Sequence, residues 1–213
     1  MLIDKPETFA YTAHEPVGVV AALTAWNSPL LFVAWKCAAA LAAGCAVIVK
    51  PSEFTSASTL EFAALTKEAG IPDGIFNVVT GFGPGIDSEL IAHPGIDYLH
   101  RIGYDGRQGL RDRRARPEAS VASNSAANIV FEDPDLSAAA AGAVSGIFAA
   151  TGQTCIAGSR LLVQNSIKDK VRGAAAGARE SAEIGDPIKG DTNIGPVTTL
   201  AQYKKILDYI DVA

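Results

Sequence analysis

Val17 to Glu53 reads VGVVAALTAWNSPLLFVAWKCAAALAAGCAVIVKPSE, two apolar runs on either side of an Ala- and Leu-rich segment. The first run, Val17 to Trp26, is continuous and stops at NSPL, as a strand buried on both faces stops in a turn. The middle segment closes on Gly44, which predicts a helix with a glycine stop. AVIVK is then a second buried strand. The pattern repeats: SEFTSASTLEFAALTKEAG predicts a helix entered through Ser and Thr and left at Gly70, and IFNVVTG predicts a third strand. Strands alternating with helices make a parallel sheet with crossover helices, and such sheets bind ligands beyond the carboxyl ends of their strands. Asn27, Lys50 and Gly81 all stand at such ends.

Further along, a short strand is expected at Asn128 to Phe131 and a capped helix from about Asp135. Gly146 to Val163, GIFAATGQTCIAGSRLLV, places Cys155 in a loop of small residues ahead of another strand. Taken alone, Cys155 reads either as a core thiol or as a nucleophile. Two helices follow, KDKVRGAAAGARESAEIGDP and TLAQYKKILDYIDVA, and the sequence ends without a helix stop. One stretch breaks the order: His100 to Ser125 is arginine-rich, has almost no apolar periodicity, and reads as an exposed basic loop.

Composition excludes several classes. The chain has 213 residues, 48% hydrophobic and 19% charged, with a formal net charge of -5, the profile of an ordinary globular protein. An acidic balance with no aromatic platform beside the basic stretch argues against nucleic acid, and equally against an anionic membrane surface. Cys37, Cys45 and Cys155 are odd in number and lack CxxC spacing, which disfavours a disulfide framework and a metal site and suits a reducing cytoplasm. No export signal is expected from MLIDKPETFAYTAHEP, and Lys36 and Pro29 interrupt the only long apolar stretch, so no membrane span is expected.

EPVGVVAALTAWNSPL, WKCAAALAAGCAVIVKPSE, EAGIPDGIFNVVTGFG, NIVFEDPDL, GIFAATGQTCIAGSR and IGDPIKGDTNIGPVTTLAQYKKILDYI, in that order, resemble the NAD(P)-dependent aldehyde dehydrogenases. The resemblance implies an α/β fold with a Rossmann-like parallel sheet, incomplete here. Residues 1–127 would form most of an NAD domain, and 128–213 the start of the catalytic domain. It implies oxidation of a small-molecule aldehyde to a carboxylic acid through a thiohemiacetal and thioester on Cys155, with Asn27 donating to the oxyanion and no metal. Lys50 and Glu53 resemble the pair that holds the adenosine ribose. A carboxylate there repels a 2′-phosphate, so the cofactor expected is NAD rather than NADP. Trp26 and Gly81 fall beside the cofactor, and Trp26 has no chemical part. Lys36 follows the family's Trp-Lys pattern as a supporting or a solvated residue, while Cys37 and Cys45 read as core. Relatives are commonly dimers or tetramers.

Two departures qualify that picture. The family's general base is a glutamate in an LELGGKS-like segment, and Val121 stands in its place here. Glu118 is three residues too early to inherit the role. The FTGS turn is also missing. Codons permitted for Leu99 to Ala122, read one base out of register, give FTGSVTTVGKAFAIAARDLKPVS, so residues 100–127 are expected to be an out-of-frame stretch. Family members are roughly twice as long as this chain, which on the resemblance is an internal fragment. The other functional class left open is an inactive chain that at most binds nucleotide or a partner subunit.

Overall fold

The computed structural model describes residues 11–102, 118–121, 126–132, 135–180 and 182–212. They fall into two compact units, Met1–Ala122 and Ser123–Ala213.

In the first unit the chain runs β1 (Val19–Leu23), α1 (Pro29–Ala42), β2 (Ala46–Lys50), α2 (Ser56–Glu68), β3 (Phe76–Val78), α3 (Gly83–Ala92), β4 (Tyr98–Ile102) and β5 (Glu118–Val121). All five strands are parallel, in the order β3-β2-β1-β4-β5. That is the doubly wound order, with its change of direction between β1 and β4. Successive strand residues point to opposite faces, so β1 serves two cores. Ala22 joins Val33 and Cys37 of α1, Val47 and Val49 of β2 and Phe62 of α2 on one face. Ala21 and Leu23 join Ile96, Leu99 and, from α3, Leu90 and Ile91 on the other. Val33, Val47 and Val49 are completely buried, each a contribution of about 1.5–3 kcal/mol from apolar burial.

Local chemistry sets the element ends. Pro29 occupies the first turn of α1, where its missing N–H removes no helical hydrogen bond. Gly44 ends α1 with φ +84°, and its N–H donates to Leu41 O at 2.9 Å. The strand β1 is shorter than its apolar run: after Leu23 the Thr24 N–H still reaches Lys50 O at 3.1 Å, and the chain then turns at Trp26 and Asn27.

Three elements escaped the sequence reading. Helix α3 opens Gly83, Pro84, Gly85, a composition that hides a helix although Pro is tolerated in its first turn. Strands β4 and β5 take residues from the arginine-rich stretch that reads as loop. Leu99 pairs with Glu118 and Ile102 with Val121, pairing that a parallel neighbour supplies and local propensity does not reveal. Residues 103–117 and 122–125 of that stretch lie outside the described residues.

In the second unit β6 (Ala127–Val130) pairs in parallel with β7 (Arg160–Val163), and α4 (Leu136–Phe148) makes the crossover. Asp135 caps α4 as its sequence position predicts, accepting from the N–H of Ser137 at 2.8 Å and of Ala138 at 3.3 Å. α5 (Lys168–Glu180) packs on α4, and Val171 closes a small core with Val130 and Ile167. α6 (Leu200–Val212) ends the described chain.

Candidate functional site

Lys50, the last residue of β2, is buried, and the loop it opens returns Glu53 to its side chain. Nζ lies 3.7 Å from Glu53 Oε2, so the two residues paired on sequence are together in space. A third group meets them: Asp87, from α3, places Oδ1 3.3 Å from the same Nζ. That oxygen is buried and makes no hydrogen bond, as are Thr24 Oγ1 at the end of β1 and Thr55 Oγ1 in the loop after β2. Thr59 Oγ1 in α2 is a fourth such atom, and of the four only Asp87 Oδ1 faces the Lys50 ammonium; buried polar atoms without partners are costly unless something else satisfies them. Asp87 belongs to no motif, and its helix opens on a Gly-Pro-Gly run without a helix signal, so only the fold reveals it.

Gly81, after β3, has φ +154°, and a side chain there would run into Ile86. Only glycine lets the chain turn this tightly into α3, which brings Asp87 to Lys50. Trp26 and Asn27 share the half-buried turn after β1, and the Asn27 carbonyl accepts from Ser28 Oγ at 2.6 Å.

Lys36 stands at the point where the strand order reverses. Its ammonium donates to Leu23 O at 2.6 Å and His100 O at 3.1 Å, tying β1 to β4. Burial lowers its pKa to about 8, against a smaller upward pull from Cys37. Burial pushes the Cys37 thiol up to about 12, with Lys36 opposing, so Cys37 stays protonated and inert. His100 is held below its ordinary value by burial and then by Lys36.

Cys155 lies in the second unit, half-buried, in a loop closed on itself by Ala157 N–H to Thr154 O at 3.1 Å and Gly158 N–H to Gly146 O at 3.3 Å. Just before it, Ala150 (φ 49°), Thr151 (φ 58°) and Gly152 (φ 69°) form a run in the left-handed region. Two of them are not glycine, which stores roughly 1–2 kcal/mol each of backbone strain next to the thiol. Thr151 Oγ1 to Gly195 O at 3.1 Å, and Thr198 N–H to Gln153 Oε1 at 3.0 Å, hold the turn in place. Asn128, from β6, reaches over Gly158 and donates to its carbonyl at 3.3 Å. Among the described residues no group of three His, Cys, Asp or Glu side chains could hold a metal ion, and no helix is long and apolar enough to cross a membrane.

The model of the aldehyde dehydrogenase family matches residues 1–213. A (Z)-2-((N-methylformamido)methylene)-5-hydroxybutyrolactone dehydrogenase of Acinetobacter baylyi is 42% identical over 96% of this chain and 43% of its own length. Peroxisomal aminoaldehyde dehydrogenase 1 of Pisum sativum is 39% identical over 97% of this chain and 42% of its own. Among solved structures, betaine aldehyde dehydrogenase of Staphylococcus aureus in complex with NAD+ superposes with a TM-score of 0.89 at 35% identity, over 100% of this chain and 44% of that one. The chain thus spans less than half the length of the relatives it matches.

Proposed function

The chain belongs to the aldehyde dehydrogenase family, and on that premise we propose that it carries the nucleotide-binding and thiol-bearing parts of an enzyme that oxidises an aldehyde to a carboxylic acid with NAD. The observation that carries this reading is the cluster of Lys50, Glu53 and Asp87 at the carboxyl edge of a doubly wound sheet. An ammonium flanked by two carboxylates suits a ribose diol, which both accepts and donates hydrogen bonds. Lys50 would donate to the hydroxyls and Glu53 accept from them, with Gly81 and Trp26 shaping the neighbouring backbone. NAD supplies the hydride acceptor.

The remaining chemistry belongs to the chain's own residues. Cys155 attacks the carbonyl carbon as thiolate, forming a C–S bond and a tetrahedral thiohemiacetal whose oxygen takes up negative charge. The Cys155 backbone N–H is one donor assigned to that oxygen. The Asn27 amide is the second donor assigned to it. Loss of hydride from the adduct leaves a thioester on Cys155, and water then releases the acid. The left-handed run at Ala150 and Thr151 leads directly into the loop that carries the thiol. Two relatives are named for aminoaldehyde and betaine aldehyde, so aldehydes with a nitrogen-bearing chain are the first substrates to try. Three free thiols suit a reducing compartment such as the cytoplasm.

A second reading has its own observation. Val121 ends β5, paired with Ile102, at the place the family gives to its glutamate base, so acylation would proceed and hydrolysis would stall. Mixing the chain with NAD+ and a panel of such aldehydes separates the readings. Steady NADH release supports the complete reaction, and a burst near one per chain supports the stalled one. No NADH and no aldehyde-dependent modification of Cys155 would reject both.

A further inference from the structure

Asp87 stands closer to Lys50 than Glu53 does, at 3.3 Å against 3.7 Å, and its side chain keeps 14% exposure against 33% for Glu53. Of the two carboxylates it is the nearer and the less screened by solvent. Its Oδ1 is buried against the Lys50 ammonium, so little solvent stands between the two charges. Gly83 makes room for the group: a Cβ there would lie 3.1 Å from Asp87 Oδ2. One ammonium therefore faces two carboxylates, and the cluster carries an excess of one negative charge.

We propose that Asp87 is a specificity-determining residue of the nucleotide site, setting its choice of a free ribose 2′-hydroxyl over a 2′-phosphate more strongly than Glu53 does. The proposal rests on the nucleotide-site reading above. A hydroxyl can donate to the part of the Asp87 carboxylate that stays exposed. A phosphate monoester brings about -1.5 to -2 charge at neutral pH and has little proton to give, so it meets repulsion where the hydroxyl meets an acceptor. With Glu53 alone, Lys50 would leave the cluster neutral and the repulsion weak.

The test is calorimetric binding of adenosine 5′-monophosphate and adenosine 2′,5′-bisphosphate to the full chain and to Asp87→Asn and Glu53→Gln. The wild type is expected to prefer the monophosphate. Asp87→Asn keeps the shape and removes the charge, and it should narrow the preference about tenfold or more, with Glu53→Gln narrowing it less. If Asp87→Asn fails to fold by circular dichroism, Asp87→Ser takes its place. A preference unmoved by the Asp87 variants, or equal loss of both ligands, makes Asp87 a structural residue and overturns the proposal alone. Failure of the wild type to bind either ligand overturns the nucleotide-site reading together with it.

Discussion

Lys36 Nζ donates to the carbonyl of Leu23 at 2.6 Å, a buried contact that closes the end of β1 from the helix packed against it. Because Lys36 titrates near 8 in the fold and near 10.5 in an open chain, the unfolded state binds the extra proton between those values. Its contribution to stability therefore rises with pH from about 8 to 10.5. Cys37 acts in the opposite sense. Its thiol stays protonated in the fold to about 12 and ionises near 9 when exposed, so stability falls over that interval. The expected profile in urea at successive pH values climbs from 8 to 9, flattens, and declines above 10.5. Lys36→Met should abolish the climb and leave the decline. A wild-type profile that falls from pH 8 onward would contradict the assignment.

Ala150 sits at φ 49° without being glycine. Ala150→Gly should relieve the strain and, after the extra chain entropy of glycine, stabilise the second unit by roughly 0.5–1 kcal/mol. Urea midpoints check the stability, and the rate of iodoacetamide alkylation checks the thiol. If the strained turn positions the thiol, the alkylation rate of Cys155 changes even as the fold gains; an unchanged rate means the strain does not act on the thiol.

Much of this site was legible in the sequence, for reasons that differ by residue. Lys50 and Glu53 are three apart across one strand end, so the local order that makes them recognisable also puts them in contact. Gly44 was readable because a helix stop needs a positive φ, and Asp135 because a cap acts within its own turn. Asp87 and Lys36 were not readable in the same way. Lys36 reaches carbonyls 13 and 64 residues away, and Asp87 meets Lys50 only after α3 is folded onto the sheet. β4 and β5 were hidden because their pairing is set by neighbours and not by their own composition.

Gly158 lies under the Asn128 side chain so closely that an added methyl would overlap the amide. Gly158→Ala should displace Asn128, break its bond to the Gly158 carbonyl, and cost about 1–3 kcal/mol through overpacking. Asn128→Ala removes the obstacle. The double variant should therefore be less destabilised than the two single effects added together, which a double-mutant cycle in urea measures directly. Strict additivity would mean that the loop yields elsewhere.

Val121 is the last residue of β5 and pairs with Ile102 at the end of β4, which puts it at the carboxyl edge of the sheet. If general-base help is what this position lacks, hydrolysis of a thioester on Cys155 is slowed about 10²–10⁴-fold while acylation is spared. Val121→Glu should then convert a single burst of NADH into turnover, and intact-mass measurement should show the acyl adduct on Cys155 disappearing. An out-of-frame origin for residues 100–127 makes a separate demand. Sequencing the coding DNA across Ile96 to Val130 should uncover single-base changes that restore FTGS and LELGG together, since one slip cannot produce both. A frame that stands as written, with Val121→Glu still inactive, would mean that the missing turn disables the site as well, leaving an inactive chain that at most binds nucleotide or a partner subunit.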